Sequence, residues 1–317
     1  MMPSPAFAGM MVAMACAGVM GFAIQRGATC TVAAIGEIVE ERRARRLAAL
    51  FEAALLVAGI LVFTRLVGLT MSLPDGFSVT GWTLAGGGLL GVGAYVNRAC
   101  VFGSIARLGS GEWAYVLTPF GFYLGSLTLA QTLGSVTPAA VQSGSHVPVL
   151  AAVVIAAYFG WRVAVVGRQR LRARKAQRVR WSPHEATLVI GLTFVILDLT
   201  VGPWAYTDLL SQLAWGQRGG IQWRTLLFAA LFAGAVLGGR TAGLTSKQGD
   251  WRYAAARCLA GGLLMGWGSA LIPGGNDSLI LVGMPLLQAQ AWAAILMMCA
   301  TIWIALSIEK RCNRIPI

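Results

Sequence analysis

Apolar runs of about 20 residues recur along the whole of this chain. Examples are residues 6–24, 47–69 and 226–243. A helix of about 20 apolar residues spans the hydrocarbon core of a bilayer, so this repetition excludes a soluble domain held by a single anchor. A mean hydropathy of +0.69 and a charged content of only 12% agree with that exclusion. We therefore predict an all-α polytopic membrane protein.

About nine transmembrane helices are predicted, two of them interrupted. Besides the three runs above, the predicted spans are residues 82–105, 113–133, 147–166, 187–204, 254–280 and 285–308. The third span of the nine is interrupted at Asn97, Arg98 and Cys100, and the eighth at Pro273-Gly274-Gly275. Residues 206–222 are semi-polar and carry tryptophan, which favours a short interfacial or re-entrant segment.

The positions of arginine and lysine predict the orientation. Residues 40–46 hold four arginines, and residues 162–180 hold seven arginines and one lysine, whereas residues 70–81 and 134–146 hold none. Basic loops stay in the cytoplasm, so the N-terminus is predicted outside a bacterial inner membrane and the C-terminus inside. The net charge of +13 lies mainly in these short runs, which argues against a nucleic-acid partner.

Four glycine-rich segments place polar residues at membrane depth: residues 21–34, 91–104, 234–246 and 266–281. Backbone that is not helical persists at that depth only where it is buried in protein or lines a cavity. The first segment aligns with the third and the second with the fourth, which indicates an internal duplication. We predict one membrane domain with repeat-like halves, residues 1–167 and 184–317, joined by a basic cytoplasmic linker, residues 168–183.

Six cysteines are present, and none has the spacing of a zinc site or a disulfide framework. We predict no metal and no cofactor. Cys30 and Cys100 stand beside glycine and arginine in the polar segments, where a thiol is a weak, polarisable contact for a passing sulfur atom. The alternative is that both are small buried apolar residues. Three others, Cys16, Cys258 and Cys299, lie in unbroken apolar helix, which is typical of packing.

The segments around these two cysteines resemble the YeeE/YedE family of membrane proteins. The resemblance rests on Arg26-Gly27-Ala28-Thr29-Cys30, on Asn97-Arg98-Ala99-Cys100-Val101-Phe102-Gly103-Ser104, and on Asn276-Asp277-Ser278-Leu279 followed by Gly283-Met284-Pro285. It implies an hourglass of about nine helices whose short loops meet at a central waist, and uptake of thiosulfate. It also implies a soluble TusA-like sulfur-carrier protein as a possible partner, with residues 168–180 as the candidate docking surface. A third family cysteine is replaced by Asn276-Asp277, which leaves another sulfur species or small anion open.

The predicted substrate pathway combines these motifs with nearby charges. Its residues are Cys30, Cys100, Arg26, Gly27, Asn97, Arg98, Gly103, Asn276, Asp277 and Ser278. An arginine at membrane depth lowers the cost of an anion or pairs with a carboxylate, and we expect Arg98 to do one or the other, with Asp277 as its candidate partner. Asp198 is a second carboxylate at that depth.

The resulting prediction is a permease for a small sulfur-containing anion such as thiosulfate. No paired acid and base or catalytic triad is visible, so we do not predict an enzyme. Two alternatives remain: a membrane thiol protein that relays persulfide sulfur to a soluble sulfurtransferase, and a transporter for an unrelated oxyanion.

Overall fold

The computed structural model describes residues 7–66, 74–133, 181–217, 219–243 and 250–312, together with Gly68 and scattered positions between 140 and 171. The helices with described bounds are α1 Phe7–Gly27, α2 Thr31–Glu41, α3 Arg45–Leu66, α4 Gly81–Asn97, α5 Val101–Gly109, α6 Leu117–Leu133, α7 Pro183–Val201, α8 Tyr206–Ala214, α9 Ile221–Ala242, α10 Trp251–Leu271, α11 Asn276–Gly283 and α12 Ala289–Cys312. A 3-10 turn, Trp113–Val116, precedes α6, and α11 becomes π-helical from Leu279. The strands β1, Gly76–Phe77, and β2, Ala140–Val141, form a short antiparallel ribbon.

The all-α polytopic architecture is confirmed. Within the described residues, six helices, or helix pairs, are long and apolar enough to cross a membrane, and a seventh span results if the bent pair of α10 and α11 is counted as one. The helix α6 is not among these spans, because it has only 17 residues and a spanning helix needs about 20. The predicted span at residues 147–166 falls mostly outside the described part of the chain. The number of nine therefore stays unconfirmed.

One order of elements occurs four times: a long helix, a break, a short helix and a second long helix. The four units are α1-α2-α3, α4-α5-α6, α7-α8-α9 and α10-α11-α12. The predicted breaks near Cys30, near Cys100 and at Pro273-Gly274-Gly275 are confirmed. The fourth break, after Gly202, precedes α8, so the first part of the predicted re-entrant segment is a short helix. This order supports the predicted halves, which remain a prediction.

The described part of the glycine-rich segment at residues 234–246 contains no break, and for residues 234–243 that prediction is wrong. These residues belong to α9, which continues to Ala242 and ends at Gly243 in the left-handed conformation, and residues 244–246 lie outside the described part of the chain. A Cβ atom at Gly234 would overlap the backbone of Gly18 in α1, and one at Gly239 would overlap that of Gly109 in α5. These glycines permit close helix packing. The order of elements pairs α1-α2 with α7-α8, so it does not support the alignment of the first segment with the third.

The first two breaks have the same backbone geometry. Ala28 and Arg98 both have positive φ angles, 47° and 55°, and each lies two residues before the cysteine that caps the next short helix. The N–H of Thr29 donates to the carbonyl of Ile24, and the N–H of Ala99 donates to that of Ala94. Both long helices thus end in the same left-handed closure, which satisfies carbonyls that would otherwise be unpaired.

The basic ends of the helices lie together at one end of the molecule. Arg26 Nη2 donates to Thr241 Oγ1 at 2.9 Å, and Lys310 Nζ donates to the carbonyl of Val39 at 2.5 Å. At the other end, Gln288 Nε2 donates to the carbonyl of Pro74 at 3.1 Å, close to the ribbon of β1 and β2. The short helices α2 and α5 therefore run toward the basic end, and α11 runs toward the ribbon.

Candidate functional site

The N-termini of the four short helices meet at the centre of the bundle. Val101 N–H at the start of α5 donates to Asn276 Oδ1 in α11 at 3.3 Å, and the Tyr206 hydroxyl in α8 donates to the carbonyl of Val101 at 3.2 Å. Thr207 N–H in α8 donates to Asp277 Oδ2 at 3.3 Å. We call this meeting point the waist; its residues are Cys30, Thr31, Cys100, Val101, Tyr206, Thr207, Asn276 and Asp277. The predicted convergence of broken helices is confirmed.

The two predicted cysteines lie side by side at the waist. Thr31 N–H, the first amide of α2, donates to Cys100 Sγ at 3.1 Å. Cys100 N–H, at the start of α5, donates to Cys30 Sγ at 3.5 Å. Each sulfur therefore accepts an amide at the N-terminus of the other cysteine's helix. Cys30 is 9% exposed and Cys100 is fully buried, and both are free thiols.

Glycine makes this contact possible. A Cβ atom at Gly103 would lie 2.5 Å from Cys30 Sγ and 3.0 Å from Cys30 Cβ, so any side chain at this position displaces Cys30. Gly27 acts differently, because a Cβ there would overlap Ala186 of α7. Of the two predicted glycines, Gly103 positions the thiol, and Gly27 lets α1 approach α7.

The other two short helices meet through a carboxylate. Asp277 is 2% exposed and accepts hydrogen bonds from the N–H and the hydroxyl of Thr207. Gly275 is needed beside this pair, because a Cβ there would overlap the Thr207 hydroxyl. Ser278 lies one residue further along, and its hydroxyl contacts the Asp208 carboxylate. Thr207 and Tyr206 were not predicted from the sequence; the Gly202-Pro203 pair before α8 was the available signal.

The predicted ion pair between Arg98 and Asp277 is not formed, and that expectation is wrong. Arg98 is exposed, because its left-handed backbone at the end of α4 turns the side chain away from the waist. Within the described residues, Asp277 has hydrogen-bond partners but no salt bridge. Arg26 reaches the basic end of the molecule, where its guanidinium also covers the ring of Phe22 at 5.0 Å. Neither arginine lies at the waist.

Asn97 holds the second break together. Its Nδ2 donates to the carbonyl of Ala99 at 2.8 Å and to Ser104 Oγ at 2.9 Å, and its Oδ1 accepts from Thr118 Oγ1 at 3.0 Å. The side chain is fully buried, and both of its polar atoms have partners inside the protein. The structure therefore places Asn97 beside the waist as a structural residue, with no donor left for a ligand.

Among the residues that the structure describes, two buried polar atoms in or beside the waist have no hydrogen-bond partner. They are Thr29 Oγ1 and Asn276 Nδ2. Buried polar groups are nearly always paired, so such a group beside two thiols calls for an explanation. Both can donate a hydrogen bond.

A narrow cleft leads to Cys30 from the side of α3 and α7. Its walls include Cys30, Thr29, Arg46 and Thr187, and its interior of about 10 Å³ holds roughly one water molecule. An anion with several atoms needs more room, so passage requires these helices to separate. Within the described residues, no group of three or more His, Cys, Asp and Glu side chains is placed to hold a metal ion.

Comparison with known families adds one match. A family model described as sulphur transport matches residues 26–304, which include all four breaks and the whole waist. No curated protein matches the chain.

Proposed function

Because the chain belongs to the sulphur transport family, the YeeE/YedE family that its motifs resemble, we propose that it is a permease for a small sulfur-containing anion. Thiosulfate or a related species is the proposed cargo. It passes the waist between the four short helices, in contact with Cys30 and Cys100.

The crossed contacts of the two cysteines carry this proposal. Each sulfur lies at the N-terminus of a short helix, where backbone amides and the helix dipole favour negative charge. Thiol sulfur is a weak, polarisable contact for the soft sulfur atom of the cargo, and a permease needs contacts weak enough to release what they hold. The site therefore combines anion attraction with weak, sulfur-tolerant contacts.

We propose further that the chain lies in a bacterial inner membrane with its N-terminus outside and its C-terminus in the cytoplasm. The two loops without basic residues meet in the β1–β2 ribbon, whereas Arg26, Lys310 and the end of α9 lie at the opposite end. The basic end faces the cytoplasm by the positive-inside rule. A soluble TusA-like carrier is a proposed partner at that face, at residues 168–180, most of which lie outside the described residues.

Substitution of the cysteines tests the proposal. We expect Cys30→Ala and Cys100→Ala proteins to lose most thiosulfate uptake in a strain that depends on it, while they reach parental amounts in the membrane. Cys258→Ala is the matched control, because Cys258 is also fully buried but lies in the unbroken helix α10. Parental uptake by both waist variants would refute the proposal.

The alternative function, a persulfide relay, requires a different kind of cysteine. A relay cysteine must meet a soluble protein as an accessible thiolate, whereas Cys100 is fully buried and Cys30 nearly so. Thiol labelling separates the two functions, because permeation contacts react slowly and relay cysteines react fast. A panel of sulfate, sulfite and selenium anions tests the remaining alternative, a transporter for an unrelated oxyanion.

A further inference from the structure

The side chain of Asn276 presents an unused hydrogen-bond donor at the waist. Its Oδ1 accepts the Val101 N–H at 3.3 Å, at the N-terminus of the nine-residue helix α5. Exchanging the two amide atoms would set an NH₂ group against that N–H, two donors face to face, so the assignment of Oδ1 is fixed by its neighbour. The Nδ2 atom is then left without a partner among the residues that the structure describes, although Asn276 is fully buried.

The surroundings of Asn276 do not use this donor. The carboxylate of Asp277 is directed to α8, where the amide and hydroxyl of Thr207 hold it. Asn97, the last residue of α4 before the second break, uses both of its side-chain polar atoms inside the protein. The free donor thus distinguishes Asn276 from a buried asparagine with a structural role.

The same contact connects Asn276 to the thiols. Val101 follows Cys100 directly, and Thr31, whose N–H donates to Cys100 Sγ, also places its hydroxyl against that sulfur. A ligand beside Cys30 and Cys100 therefore meets polarisable sulfur on one side and the unused amide donor of Asn276 on the other. Its chemistry must match both, with a sulfur atom at one end and an oxygen acceptor at the other.

We propose that Asn276 Nδ2 donates to an oxygen atom of the transported anion, so that the waist selects sulfur oxyanions over hydrosulfide. This inference rests on the proposed function and adds a residue that determines specificity. Asn276 recognises the oxygen end of the cargo, and the cysteines contact its sulfur end.

Direct binding to the purified full-length protein tests the inference. Radiolabelled thiosulfate and radiolabelled hydrosulfide are measured separately on the parent, on Asn276→Leu and on Ser126→Ala. Loss of one hydrogen bond to a charged ligand is expected to weaken thiosulfate binding by Asn276→Leu about tenfold or more. Hydrosulfide has no oxygen, so its binding is expected to change less than about threefold, within the effect of a lost weak contact.

Control variants keep the result interpretable. Ser126→Ala removes a buried hydroxyl between α6 and α10 and is expected to bind both ligands as the parent does. If Asn276→Leu fails to accumulate, Asn276→Ala replaces it, because alanine also lacks the amide donor, and the ratio of thiosulfate to hydrosulfide affinity is expected to fall in the same direction. An equal loss of both ligands, or no loss of thiosulfate, would overturn the inference.

The outcomes also separate this inference from the function on which it rests. Thiosulfate binding by the parent that persists in Cys30→Ala and Cys100→Ala would remove the role of the cysteines and leave that of Asn276 standing. A parent protein that binds thiosulfate through the cysteines, with an Asn276→Leu variant that keeps the parental ratio of thiosulfate to hydrosulfide affinity, removes only the inference. A parent that binds no thiosulfate overturns both.

Discussion

Residues of the same type have different roles in this protein, and their contacts decide which. Cys30 and Cys100 exchange amide hydrogen bonds at the waist, whereas Cys258 is packed in an unbroken helix. Asn97 and Asn276 stand at corresponding breaks, but only Asn276 keeps a free donor. The sequence motifs contain Cys30, Cys100, Asn97 and Asn276. They do not distinguish a structural residue such as Asn97 from the residues that we propose contact the cargo.

Gly103→Ala is expected to abolish most uptake while the protein still folds. The new methyl group would meet Cys30 Sγ at 2.5 Å, so the thiol must move out of its contact with Cys100. Thiosulfate uptake, normalised to the amount of protein in the membrane, is the measurement. Gly36→Ala in α2 is the control, because its methyl group meets only Leu306 Cδ1, at 4.0 Å. Equal uptake by the two variants would contradict this role of Gly103.

Asn97→Leu is expected to lower stability. Leucine leaves the carbonyl of Ala99 and the hydroxyl of Thr118 without their amide partner in a buried site, at a cost of about 2–6 kcal/mol for two unsatisfied groups. Thermal unfolding of the purified protein in detergent measures the change. Asn276→Leu is the comparison: it removes one hydrogen bond to a backbone amide, and we expect a smaller loss. A larger loss of stability for Asn276→Leu than for Asn97→Leu would contradict the structural role of Asn97.

At the scale of elements, the breaks rather than the long helices define the site. Each break turns the N-terminus of a short helix toward the waist, and the first two do so with a residue other than glycine at positive φ. For an L-residue this conformation costs about 1–2 kcal/mol. The contacts of Cys30 and Cys100 at the beginnings of α2 and α5 help to hold the breaks in this geometry.

Ala28→Gly is expected to stabilise the protein by about 1 kcal/mol, because glycine adopts a φ of 47° without a steric penalty. The same unfolding measurement detects it as a higher transition temperature. Ala229→Gly in the helical interior of α9, where the side chain is also exposed, is the control and is expected to destabilise by a similar amount. A lower transition temperature for Ala28→Gly would show that its methyl group makes a contact that outweighs the strain.

At the scale of the whole molecule, contacts at the two ends group the loops as the charge distribution predicts. The ribbon of β1 and β2 joins the two loops without basic residues, and the helix ends with arginine and lysine gather opposite it. The family match covers both ends and the waist between them. The grouping of loops is therefore structural, and the assignment of each end to a side of the membrane rests on charge.

Labelling with a membrane-impermeant maleimide tests that assignment. In a Cys312→Ala background, Val79→Cys beside the ribbon is expected to react in intact spheroplasts, because Val79 is exposed. Arg43→Cys at the basic end is expected to react only after the membrane is opened, although Arg43 is also exposed. Labelling of Arg43→Cys but not of Val79→Cys in intact spheroplasts would show that the protein has the opposite orientation.

From the sequence alone we could predict the membrane class, most of the long helices, three of the four breaks and the selection of Cys30 and Cys100 among the six cysteines. These features are local: hydrophobicity decides what enters the bilayer, and backbone that leaves the helix at that depth needs polar or glycine-rich sequence. The first and second breaks illustrate this, because they share a left-handed closure and a cysteine cap.

Which polar groups meet depends on the packing of the whole fold. Residues 234–243 have the composition of a break, but α9 stays helical to Ala242 because its glycines pack against α1 and α5. Arg98 turns outward with the backbone that ends α4, and Thr207, rather than the candidate partner Arg98, lies beside Asp277. Such pairings join residues that are distant in the chain. The direction in which each side chain points depends on how whole helices pack. For that reason the free donor of Asn276 appears only in the folded protein.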